Sequence, residues 1–134
     1  MAERWGHLHA YDLEGIFRQS SAASEKQYYL DHIDRGEYHV IQQITDGYLV
    51  ADVMKRIFFL MVDPFIPYSL YKEIVQQETF TEDYCKAIVA RLSPTRQAVI
   101  RFITNLVAVS LRHPSNQMTA HSFGICWAPS LMRT

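Results

Sequence analysis

Arg18 stands in the run Glu14-Gly15-Ile16-Phe17-Arg18-Gln19-Ser20, after an apolar pair and before the small residues Ser20-Ser21-Ala22-Ala23. A guanidinium is planar, permanently charged and donates several hydrogen bonds, so it suits the recognition of phosphate and carboxylate groups. Two readings of this arginine stand open. Either it solvates an ordinary loop, or Ile16 and Phe17 root a loop that holds the cation out toward something beyond the chain. The other reactive residue types are less suggestive. His7-x-His9 has no second histidine or cysteine pair at ligand spacing, so surface histidines outweigh a metal site. His32, His39, His113 and His121 are scattered and read as surface or capping groups. Glu82-Asp83 reads as a first-turn acidic pair favoured by a helix dipole. Tyr28-Tyr29 and Phe58-Phe59 have no basic stripe beside them, which argues against a stacking platform for bases. No G-x-S-x-G, H-E-x-x-H, P-loop or G-x-G-x-x-G motif occurs. Self-contained catalysis therefore has no support.

The elements that must position Arg18 read as helices. Ser24 with Gln27 forms a capping-box pattern ahead of a helix to about Asp34, with a stop near Gly36. Residues 37–44 mix strand and helix propensity and read as irregular. Leu49, Val50, Val53, Met54, Ile57, Phe58 and Met61 recur at spacings of three and four, which predicts a helix over 45–62. Pro64 and Pro67 bracket a turn before a short helix over 68–77. Thr79 with Glu82 predicts a second capping box, opening a helix to about Arg91. Ser93-Pro94 supplies a cap and a first-turn proline for the longest helix, Thr95 to about His113. Its apolar stripe is Val99, Phe102, Ile103, Leu106, Val107 and Val109/Ser110. A last helix follows Pro114 and is expected to end at Pro129. No βαβ alternation is visible. The fold class is all-α, with roughly five to seven helices.

Composition agrees with one globular domain. The chain has 134 residues, and 49% are apolar. Such a chain can bury roughly two-thirds of its unfolded surface. Thirteen Lys/Arg against fourteen Asp/Glu give no reason to expect nucleic acid as a partner. The longest apolar run, residues 57–62, is far below the roughly 20 residues of a membrane span. Cys85 and Cys126 form no cluster and read as buried free thiols in a reducing, cytoplasmic setting.

Four segments carry more together than any does alone. They are residues 14–20, residues 46–67 (Asp46-Gly47-Tyr48 through Val50-Ala51, Lys55 and Pro64), residues 95–110, and residues 116–132 (Asn116-Gln117-Met118-Thr119, then Ala128-Pro129-Ser130-Leu131). In this order and at these separations they resemble the RhoGAP domain family, the all-helical activators of Rho-type small GTPases. The resemblance implies a RhoGAP-like helical bundle and a Rho-family small GTPase as partner. It implies no cofactor of the chain's own, because GTP and Mg2+ would be held by the partner. Arg18 falls on the family's arginine finger, the guanidinium that enters in trans and stabilises charge on the transferring phosphoryl group. Ile16 and Phe17 would then root the loop, and the small residues after it would let the partner approach. Lys55 falls on a lysine expected to face the GTPase and help hold the finger loop. A lysine snorkelling from a helix is the alternative without that context. Asn116 and Ser130 match polar positions of the last two motifs. Ser130 is expected to line the GTPase-facing groove, while Asn116 also fits the N-cap of the last helix.

The departures from the family pattern bear on activity. Phe59 stands four residues after Lys55, where the family usually has a second arginine. Val62 replaces the first proline of the L-P-x-P turn, Tyr48 a common histidine, and Gln117 a lysine. Residues 1–134 are expected to be a single domain that is incomplete at both ends. Apolar faces over residues 49–61 and 99–109 are then expected to be partly uncovered, leaving the isolated chain marginally stable. The resemblance therefore implies an activator, not itself an enzyme, that uses Arg18, with Lys55, Phe59, Asn116 and Ser130 at the GTPase-binding surface. A catalytically weak interaction module of the same fold is the alternative.

Overall fold

The structure, a computed structural model, describes residues 1–132. Among them are seven α-helices, three short 3-10 turns and no strand, as the all-α reading requires. The helices are α1 (Ala2–His7), α2 (Ala23–Asp34), α3 (Gly47–Phe59), α4 (Tyr68–Gln76), α5 (Glu82–Ala90), α6 (Pro94–Leu111) and α7 (Ala120–Leu131). The 3-10 turns are Ala10–Asp12, Tyr38–Gln43 and Pro114–Asn116. No helix among the described residues is long and apolar enough to cross a membrane.

Helix α3 is the central element. It packs against α1, α2 and α7. Leu49, Val50, Val53 and Met54 are buried in one cluster with Trp5, Leu30, Ile103, Phe123 and Trp127. Burial of each such side chain contributes about 1.5–3 kcal/mol. A second, smaller cluster holds Phe65, Ile66, Leu70, Ile88 and Leu92. Phe58, Val99 and Leu131 touch both clusters and join them.

The apolar face over residues 49–61, expected to be partly uncovered, is buried at Leu49, Val50, Val53 and Met54 and half-buried at Ile57, Phe58 and Met61. Exposure is confined to its end, where Phe59 is 38% and Leu60 52% accessible. Along α6, Ile103 and Leu106 are buried, Val99, Phe102 and Val107 are half-buried, and Val109 is exposed. An apolar groove of about 200 Å³ lies between α6 and α7, lined by Ile103, Val107, Phe123 and Trp127.

Several helix ends differ from expectation. Helix α2 starts at Ala23 with Ala22 as its N-cap and no side-chain cap. The Gln27 amide instead donates to Asp31 Oδ1 at 2.8 Å, one turn along the helix. Its far end is as expected: Gly36 takes φ +77°, and the amides of Gly36 and Glu37 donate back to the carbonyls of Ile33 and His32. That pairing closes the helix with a Schellman motif, which glycine permits cheaply.

Thr81 rather than Thr79 caps α5, with its side chain accepting from the Tyr84 amide at 3.1 Å. Helix α3 begins after the Asp46 cap and stops at Phe59, short of residue 62. Ser93 caps α6 as predicted. Thr119, not Asn116, caps α7, in a reciprocal box with Ser122. Pro129 does not end α7, which continues to Leu131. Pro129 and Ile125, whose carbonyl loses its i+4 donor, both lie on the exposed side. Water can therefore satisfy what the proline removes. Cys85 is exposed on α5 and Cys126 is half-buried, so neither is the buried thiol expected.

Candidate functional site

The segment from Glu14 to Ser21 reverses direction sharply. The amides of Arg18 and Gln19 both donate to the Gly15 carbonyl at 2.9 Å. Gly15 has φ +68°, and a Cβ there would come within 2.8 Å of Gln19 Cγ. Glycine is the residue that takes this backbone without strain. Its amide donates to the Asn116 carbonyl at 2.8 Å, which ties the turn to the segment leading into α7.

Phe17 also lies in the left-handed region, with φ +68°. For a non-glycine residue this costs about 1–3 kcal/mol, and it persists only where the surroundings enforce it. Here the enforcement is visible. Phe17 is fully buried. Its ring centroid lies 5.0 Å from Trp127, 6.0 Å from Trp5 and 6.1 Å from Phe123. Ile16 beside it is equally buried. The apolar pair is thus the root that the sequence suggested. Arg18, the next residue, is exposed. No hydrogen bond or ion pair holds its guanidinium among the described residues.

Lys55 comes from the third turn of α3, and its Nζ donates to the Phe17 carbonyl. The ammonium therefore fixes the peptide between Phe17 and Arg18. Burial pushes the Lys55 pKa down, and the Asp52 carboxylate works against that shift. A half-buried cation held on a carbonyl is a positioning group more than an exposed contact.

Asn116 is inside the molecule, at 1% exposure. Its amide donates to the carbonyls of Tyr11 (2.8 Å) and Ser110 (2.6 Å), and its Oδ1 accepts from the Met118 amide. These bonds consume the side chain internally, so it braces the turn rather than reaching the surface. Ser130 is 7% exposed on α7. Phe59 lies one turn beyond Lys55, partly exposed, with the Arg56 guanidinium 4.6 Å from its ring centroid. The structure thus brings Arg18, Lys55 and the Asn116 backbone to one loop. The Ser130 side chain makes no hydrogen bond to this loop among the described residues.

Three contacts of this arrangement go beyond the sequence reading, which has Tyr48 only as a departure from a histidine, Ser21 only as a small residue after Arg18, and nothing at Asp52. Tyr48 Oη donates to the Glu14 carbonyl at 2.5 Å. The Asp52 carboxylate accepts from both the amide and the hydroxyl of Ser21, at 2.5 and 2.8 Å. The available signal was spacing: residues 48, 52 and 55 share one face of a helix whose other side chains, Arg56 apart, are apolar. A carboxylate inside such a stripe needs a partner, and the polar residues after Arg18 were the candidates.

A family model described as the RhoGAP domain matches residues 7–134. A protein of Schizosaccharomyces pombe named "Probable Rho-type GTPase-activating protein 3" is 27% identical over 93% of this chain. The Rho GTPase-activating protein gacF of Dictyostelium discoideum is 29% identical over 90% of it. Rho GTPase-activating protein 35 of Rattus norvegicus is 30% identical, also over 90%. The chain spans only 14%, 11% and 8% of these three proteins respectively.

Proposed function

The chain belongs to the RhoGAP domain family, and on that premise we propose that it binds a Rho-family small GTPase and stimulates GTP hydrolysis by inserting Arg18 in trans. The observation that carries this reading is the state of Arg18. It is an exposed arginine next to a buried, left-handed phenylalanine whose carbonyl is held by a lysine. Strain next to an exposed functional group, maintained by specific contacts, is a sign of pre-organisation. A guanidinium fixed in this way can meet charge developing on the γ-phosphate and leaving oxygen without reorganising first. The GTPase supplies the nucleotide, Mg2+ and attacking water, and the activator supplies one cation and a surface. This setting is cytoplasmic. The test is single-turnover GTP hydrolysis by a panel of Rho-type GTPases, each with and without the chain. Acceleration of at least one member is expected, and no acceleration across the panel overturns the proposal.

Phe59 favours a second reading, in which the same fold binds a GTPase with little stimulation. The family commonly has an arginine there, and phenylalanine offers no charged donor. Because Phe59 is partly exposed, Phe59→Arg places its charge at the surface and not in the core. Repulsion from Arg56 and Lys55 on the same helix costs only a few tenths of a kcal/mol. Phe59→Arg is therefore expected to raise the stimulated rate by about threefold to tenfold, which is within the range of one charge-assisted hydrogen bond. The melting temperature should move little. Hydrolysis and melting measured on the same variant decide the matter. A collapsed melt would mean that the aromatic ring is needed for packing.

A further inference from the structure

Tyr48, Asp52 and Lys55 follow one another along α3 at spacings of four and three, which stacks them on one face. Each meets the backbone of the Arg18 loop at a different point. Tyr48 takes the carbonyl of Glu14, Lys55 takes the carbonyl of Phe17, and Asp52 takes the amide of Ser21. Arg18, Gln19 and Ser20 are all that lies between the last two points. Asp52 is 5% exposed, so its charge is withdrawn from water. Its Oδ2 accepts two hydrogen bonds from Ser21 and lies 4.0 Å from Lys26 Nζ. A buried carboxylate with charge-assisted bonds of this length holds its donors firmly.

We propose that Asp52 is a positioning residue for Arg18. It fixes the C-terminal limb of the loop, as Lys55 fixes the N-terminal limb, so that the guanidinium has one take-off direction. The effect on catalysis rests on Arg18 being the group that enters the GTPase. The effect on the loop itself does not.

The experiment compares Asp52→Ala and Asp52→Asn, each in the native chain and in Arg18→Ala. Asparagine keeps an oxygen that can accept from Ser21, whereas alanine does not. Amide hydrogen exchange at Ser21 is read first. Asp52→Ala should speed it by about tenfold or more, with Asp52→Asn close to native. Single-turnover hydrolysis on the responsive GTPase is read second. Asp52→Ala should lower the saturating rate by about tenfold to a hundredfold, with the half-saturating concentration changed less than about threefold.

In the Arg18→Ala background the same substitution should cost nothing further, because the lost direction no longer matters. Ser21 exchange that is already fast in the native chain, or unchanged in Asp52→Ala, overturns the proposal. So does an equal loss of rate with and without Arg18, since Asp52 would then be acting on the fold at large. If Asp52→Ala does not fold, Ser21→Ala serves in its place, because it removes the hydroxyl bond alone and should give a smaller shift in the same directions. Should native chain stimulate no GTPase, the assignment of Arg18 fails, while exchange at Ser21 still decides whether Asp52 holds the loop.

Discussion

Replacing Arg18 with alanine is expected to lower stimulated GTP hydrolysis by about 10³-fold to 10⁵-fold and to leave most of the binding intact. That range corresponds to about 4–7 kcal/mol of barrier. The asymmetry between rate and affinity follows from where the charge is needed. A guanidinium that meets charge present only in the transition state contributes to the rate and little to the ground-state complex. The fold should be indifferent, because the side chain is exposed and makes no hydrogen bond or ion pair among the described residues. Single-turnover hydrolysis, a binding titration and a thermal melt measured on one preparation check all three statements. Full stimulation in the variant would remove Arg18 from the mechanism.

Lys55→Met should produce the second largest loss, about 10²-fold in the saturating rate, through misplacement of Arg18. Methionine keeps the length of the stem and removes the donor to the Phe17 carbonyl. Two opposed terms act on stability. The lost hydrogen bond destabilises by about 1–3 kcal/mol if its acceptor stays unpaired, while removal of a desolvated charge offsets part of that. A large fall in rate with a small change in melting is therefore expected, and a large fall in melting would show that Lys55 is chiefly structural.

The alkaline limb adds a second check. Burial holds the Lys55 pKa below its ordinary 10.5 in the folded chain. Between the depressed value and 10.5 the unfolded chain binds more protons at this position. The contribution of Lys55 to stability thus rises with pH through that window. Denaturant titrations at increasing pH should show this rise in the native chain and its absence in Lys55→Met.

The helical class was legible because the apolar spacings in residues 45–62 and 95–113 repeat at three and four, and the structure builds α3 and α6 there. The root of the loop was legible too, since Ile16-Phe17 is an apolar pair in a polar stretch and both are fully buried. Helix ends were read less well. Thr79 and Thr81 both fit a capping position in sequence, and only the three-dimensional course of the chain selects Thr81. The resemblance puts Asn116 at the GTPase-facing surface, and its place after Pro114-Ser115 fits a cap, whereas the structure buries it. Its actual partners, Tyr11 and Ser110, are 105 and 6 positions away, and no local pattern announces the first. Asp52 was missed for a related reason: its partner, Ser21, is 31 positions away.

The packing beneath the loop gives the molecule an optical property. The chain contains two tryptophans, and both lie against Phe17, with centroids at 6.0 and 5.0 Å. Both are nearly inaccessible to solvent, at 2% and 4%. Tryptophan emission from this protein is therefore a local signal from the footing of the arginine and not an average over the fold. A partner that presses on the loop, or a substitution that unseats it, changes the surroundings of both indoles together. The chain thus carries its own spectroscopic gauge of whether Arg18 is set in place, and no label is needed to read it.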